Sequence, residues 1–121
     1  MDKAQTLHAF WSSFGWAAYD ETDVPDEAEF PYITYEVVEA NIGKPVILNA
    51  SLWDRSTVWR DISRKAKEIG DHLGYGGVTM RFDEGLLFLT QGTPFAQRLS
   101  GDDDAVRRII LNVAAEYYSA A

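Results

Sequence analysis

A chain of 121 residues with 46% apolar side chains is the size of one domain, spanning 1–121, and can bury a core without covalent staples; with no cysteine it has neither disulfides nor thiolate metal sites. A formal charge of −8 argues against non-specific nucleic-acid binding, in which Lys and Arg displace counterions. No apolar run approaches the roughly 20 residues of a membrane span, and MDKAQTLHAF has no basic start leading into an apolar stretch, so a soluble, intracellular protein without a signal peptide is expected.

The charge is uneven. Residues 20–29 hold six acids and no base, and Asp102, Asp103 and Asp104 add three more, so the rest of the chain is nearly neutral. Four Trp, six Tyr and six Phe exceed what a small core accommodates, which predicts that some of Trp11, Trp16, Trp53 and Trp59 lie outside it.

In chain order, residues 2–14 predict a helix, with Leu7, Phe10, Trp11 and Phe14 on one stripe and Gly15 ending it; His8 lies beside the stripe as a boundary residue. Residues 15–30 lose periodicity and predict a long acidic loop around Pro25. Their carboxylates lack the spacing of a calcium loop, so no metal site is expected. Residues 32–40, YITYEVVEA, alternate at the period of a strand, and 41–45 (NIGKP) form a turn around Gly43 that pairs this strand with the next.

The most strongly patterned stretch is 46–73. Val46, Leu48 and Ala50 alternate with Ile47, Asn49 and Ser51 as a strand, and Asp54 or Ser56 then suits the N-cap of a helix. In that helix Val58, Ile62, Ala66, Ile69 and Leu73 share one stripe, while Arg60, Arg64, Lys67, Glu68 and Asp71 face water. Asp61 and Lys65 are placed to pair at i,i+4, and Gly74 is the C-cap.

Gly74 to Gly77 predict a tight turn. Residues 78–82 and 86–90 form a second hairpin across Asp83, Glu84 and Gly85. Residues 91–99 carry no clear period and read as a loop, although Phe95 and Leu99 must tuck under the sheet or meet another chain. Residues 105–118 fit a helix or a strand, and their β-branched centre favours a strand with Ile109, Leu111, Val113, Ala115 and Tyr117 on one face. Residues 119–121 make a loose tail. The fold class is therefore α+β: a mainly antiparallel sheet of two hairpins and a C-terminal strand, with two packed helices, in the order α-β-β-α-β-β-β.

No catalytic set is visible. The serines lack a nucleophile elbow, His8 and His72 lack metal-ligand spacing, and no phosphate or dinucleotide loop occurs, so neither an enzyme nor a cofactor is expected. The runs FPYITYEVV (30–38), LWDRSTVW (52–59) and QGTPFAQR (91–98) together resemble the tail-terminator, or tail-completion, proteins of long-tailed bacteriophages and prophages, over about residues 15–118.

The resemblance implies an α+β subunit of the virion neck. Such a subunit forms a ring, typically sixfold, on the finished tail tube, ends its polymerisation and joins it to the head connector after assembly in the host cytoplasm. Its partners would be itself, the tail tube protein and the connector, with genome DNA only passing through the lumen and no membrane. A ring needs two different complementary faces on each subunit. Trp53, Trp59 and Phe95 are the candidate anchors, with Arg55, Arg60 and Arg98 as candidate partners of a neighbour's acids. A head-closure or head–tail joining protein is the nearest alternative. A monomeric ligand-binding or catalytic domain with a pocket by Gly74 to Gly77 is the alternative of another class.

Overall fold

The computed structural model describes residues 1–38, 44–99 and 103–119. Its frame is a six-stranded sheet: β1 (Ala17–Asp20), β2 (Tyr32–Tyr35), β3 (Val46–Arg55), β4 (Val78–Phe82), β5 (Gly85–Leu99) and β6 (Val106–Ser119), in the spatial order β1-β2-β3-β6-β5-β4. Every neighbouring pair is antiparallel except β1 and β2. Strand β6 lies centrally, paired along β3 on one side (Arg55 with Val106 through Val46 with Ala115) and along β5 on the other.

The expected alternation of β6 holds: Ile109, Leu111, Val113, Ala115 and Tyr117 are all buried. Leu48, Ala50 and Leu52 of β3 and Leu87 and Leu89 of β5 line the same face. Both helices cover that face, α1 (Lys3–Ser12) through Leu7, Phe10 and Trp11, and α2 (Arg60–Leu73) through Ile62, Ala66, Ile69 and Leu73. The opposite face of the sheet has no helix on it among the described residues.

Helix α1 starts with a capping box. The Asp2 carboxylate accepts from the Gln5 N–H at 2.8 Å, and the Gln5 side chain accepts from the Asp2 N–H at 2.9 Å. The helix then crosses the sheet from the β4 edge, where the N-terminal ammonium meets Asp83 at 2.7 Å, to the β1 edge. Phe14 lies beyond its last turn yet stays buried. His8 is exposed, with its Nδ1 3.0 Å from the Tyr35 hydroxyl. The helices meet where Phe14 packs edge-on against His72, at 5.4 Å between rings, and where Lys65 donates to the Phe14 carbonyl at 2.6 Å.

Several expectations are corrected. The acidic segment 15–30 contains β1, so the order becomes α-β-β-β-α-β-β-β. This strand is only four residues long and buries Ala18 alone, too little for an apolar period to register. Residues 91–99 are the second half of β5, with a bulge between Gln91 and Ala96. A bulge shifts the alternation midway, which is why no period was visible.

The strand after Pro45 runs on to Arg55, and α2 starts at Arg60, so neither Asp54 nor Ser56 caps it. Pairing of Asp54 with Arg107 and Arg55 with Val106 holds those residues in the sheet, and Ser56 Oγ instead accepts from the Val58 N–H at 3.1 Å. Val58 is accordingly exposed and lies off the apolar stripe. The Lys65 ammonium pairs with Glu68 at 3.0 Å and not with Asp61.

The remaining exposed face of α2 and both expected hairpin pairings hold, β2 with β3 and β4 with β5, although the strand expected over 32–40 ends at Tyr35 and 36–38 lie outside it. The turn at 41–43, residues 39–40 of the expected strand, and residues 120–121 of the tail fall outside the described residues, whereas Ser119 still belongs to β6. None of the helices described is long and apolar enough to cross a membrane.

The exit from α2 depends on Gly77. Its φ is +73°, and a Cβ there would lie 2.5 Å from the Leu89 carbonyl oxygen and 2.7 Å from Thr90 Cγ2. Nothing lies within 4 Å of a Cβ on Gly76. Gly77→Ala is therefore expected to destabilise the fold by about 2 kcal/mol, and Gly76→Ala to change it by less than about 0.5 kcal/mol, in urea denaturation.

Candidate subunit interface

The six residues singled out in the sequence divide between two regions. Trp59, Phe95 and Arg98 gather around a groove of about 300 Å³ between α2 and the second half of β5. Ala66, Gly70 and Ile109 form its apolar floor, and Ser63, Lys67 and Gln91 lie on its walls. The groove exists because Gly70 faces the strand: a Cβ there would come within 3.1 Å of the Phe95 ring. That close approach seats Phe95 half-buried on the helix, and Gln91 Nε2 fixes the spacing by donating to the Gly70 carbonyl at 2.7 Å.

At the α2 start of the groove, Trp59 packs against two guanidinium groups, Arg98 at 4.8 Å and Arg107 at 5.2 Å from its ring centroid. Arg98 also donates to Ser63 Oγ at 3.4 Å, and Arg107 to the Thr57 carbonyl at 2.7 Å. Arg60 is exposed nearby and pairs with its neighbour Asp61 at 3.5 Å.

Trp53 and Arg55 lie elsewhere. Trp53 is on the sheet face that lacks helices, stacked on Tyr32 at 6.2 Å and 23° and covered by Arg108 at 4.5 Å. The Trp53 indole N–H donates to Thr34 Oγ1 at 3.0 Å, and Arg108 donates twice to Ser51 Oγ, at 3.1 and 3.0 Å. Arg55 sits over Phe30 at 4.8 Å, and Phe30 in turn packs on Tyr32. Sequence reasoning missed Arg107 and Arg108 as members of these clusters. It also missed Gly70, where an isolated glycine inside an apolar helical stripe was a usable signal of close approach.

The acidic segment leaves β1 at the far edge of the sheet. Asp20 accepts from the backbone N–H and the hydroxyl of Thr22, closing a turn. Burial, then the neighbouring Glu36 and Asp20 carboxylates, push the Glu21 carboxyl above its usual range, with Arg108 opposing them. Among the described residues no group of His, Asp and Glu is arranged to hold a metal ion.

No family model matches the chain, and no curated protein matches it. Among solved structures, it is similar to a chain of the "Virion of native gene transfer agent (GTA) particle", with 21% identity and a TM-score of 0.61, covering 94% of this chain and 90% of that one. At that identity the likeness establishes a shared fold.

Two outcomes follow from this geometry. Phe95→Ala is expected to cost about 2 kcal/mol in urea denaturation, less than the 3–5 kcal/mol of a fully buried Phe, because the ring is covered on one side only. Asp54, at the end of β3, is pushed above its ordinary value of 3.8 by burial and then by the charge of Asp61. A carboxyl with a raised folded-state pKa favours folding while protonated, and its contribution declines as pH rises from 3.8 through the folded value. Asp54→Asn is therefore expected to raise the melting temperature at pH 7, with the gain vanishing below that range.

Proposed function

We propose that this protein is a structural subunit of a virion that forms a ring on the end of a tail tube, stops the tube from growing and presents a surface to the head connector. The observation that carries this reading is the fold it shares, over 94% of its length, with a chain of a gene transfer agent virion. The resemblance of 30–38, 52–59 and 91–98 to tail-terminator proteins narrows that support to the neck. On this reading the protein works by binding alone, without chemistry or a cofactor. Its partners are copies of itself, the tail tube protein and the connector, and DNA only passes through the lumen.

The surface is compatible with such a role. A subunit in a cyclic ring offers two unlike faces. Here the α2–β5 groove with its arginines lies toward one flank of the sheet, and the acidic segment after β1 on the other.

Particles produced without the protein are expected to carry irregular, overlong tail tubes in electron micrographs. Tails of normal length in its absence would refute the role, and normal free tails beside heads that leak DNA would assign the protein to head closure.

A further inference from the structure

The sheet has unlike free edges: β1 at one end, and at the other β4 together with the part of β5 that β4 does not cover. Strand β1 pairs with β2 on one side only, and it is four residues long. Strand β5 pairs with β4 only through residues 85–89, so beyond the bulge residues 96–99, again four, are hydrogen-bonded to β6 alone. In the order β1-β2-β3-β6-β5-β4 the β1 edge and the uncovered part of β5 lie on opposite flanks. An unpaired edge offers a row of N–H and C=O groups to any strand laid beside it.

The two edges differ in charge. The connection after β1 carries Asp20, Glu21, Asp23, Asp26, Glu27 and Glu29. Among the described residues none of these six carboxylates has a cation within ion-pair distance. Burial, then the neighbouring Glu36 and Asp20 carboxylates, hold the Glu21 carboxyl above its ordinary range, with Arg108 opposing them.

On the exposed face of α2, Asp61, Glu68 and Asp71 are matched by Arg60, Lys65 and Lys67, with the Lys65–Glu68 pair on the side toward α1. Arg64 and Arg98 are left with no carboxylate partner among the described residues. Asp103 and Asp104, in the connection that follows, add two exposed carboxylates beyond the end of this edge, Asp103 accepting from the Ala105 N–H at 2.8 Å.

We infer that the free edge of β5 at residues 96–99 takes the β1 edge of a second copy of this chain, with the second copy's acidic segment 20–29 lying across the mouth of the α2–β5 groove against Arg64 and Arg98. The contact is head-to-tail, since each copy keeps one edge of each kind, and a repeated head-to-tail contact closes into a ring when its rotation permits. Strand addition supplies the main-chain hydrogen bonds and the charges set the register. This contact rests on the self-association in the proposed ring and specifies which surfaces make it.

The absence of cysteine makes a disulfide test clean. Single Ala96→Cys and Asp23→Cys variants, mixed at high concentration under mild oxidation, are expected to form the 96–23 cross-link at least about tenfold faster than Ala96→Cys mixed with Glu84→Cys, since contact raises the effective concentration of the two thiols. Arg98→Glu on the Ala96→Cys chain should return the rate to that control, and 0.5 M salt should slow the unmodified pair several-fold, a readout that needs no further substitution. Cross-links dominated by 96–96 or 23–23 pairs would show a symmetric contact and overturn the inference. No acceleration over the control would overturn it too, leaving the groove to a different protein. Normal tails without the protein would remove the virion role and leave a measured 96–23 contact standing, whereas overlong tails with no such cross-link would remove only the contact.

Discussion

The structure depends on β6 being paired on both sides and buried on one. Because β3 and β5 satisfy its backbone groups along nearly its whole length, β6 can place five apolar side chains, Ile109 through Tyr117, against the helices without an unpaired amide beneath them. At roughly 1.5–3 kcal/mol for each large apolar side chain removed from water, that row and its neighbours Leu48, Leu52, Leu87 and Leu89 are the main gain against chain entropy. Both helices lie on this one face, which leaves the other with polar and aromatic side chains held by local contacts and with Ile47 and Leu86 exposed.

Long elements with regular spacing were legible before any coordinates. Residues 105–118 fit a helix or a strand, the β-branched centre favours the strand that forms, and the alternation names its buried face; the four, three, four spacing from Ile62 to Leu73 marks the buried stripe of α2. Two of the failures share one cause: a pairing partner outside the local segment decided the outcome. Asp54 and Ser56 have the chemistry of helix caps, but the ladder to Arg107 and Val106 keeps the chain extended past them. In β1, four residues next to Tyr32 acquire strand structure from a parallel partner that local pattern cannot announce. The bulge in β5 hid a strand by breaking its period halfway.

The site was legible as residue types and not as places. Phe95 and Arg98 line one groove, with Trp59 stacked on Arg98, only because β5 continues beneath α2, and Trp53 and Arg55 lie on the opposite face of the sheet, an arrangement set by the register of β3 against β2 and β6. Arg107 and Arg108 are adjacent in sequence yet serve the two different tryptophans, because neighbours in a strand point to opposite faces. Reading them correctly needed the register of β6, which no single segment encodes.

An excess of aromatic residues invites the inference that the surplus rings await a partner protein. Here much of that surplus is already occupied. Trp53 lies between Tyr32 and Arg108 with its indole N–H bonded to Thr34, and Trp59 carries two arginines on its ring. Burying such a ring in a subunit contact adds little new apolar area and first requires those stacks to open or move as a unit. Phe95 differs, because one side of its ring lines the groove and the other packs toward Gly70. The unmet capacity of this molecule therefore lies less in its tryptophans than in its backbone edges and unpaired charges. Those are directional groups, suited to fixing how one copy sits against the next.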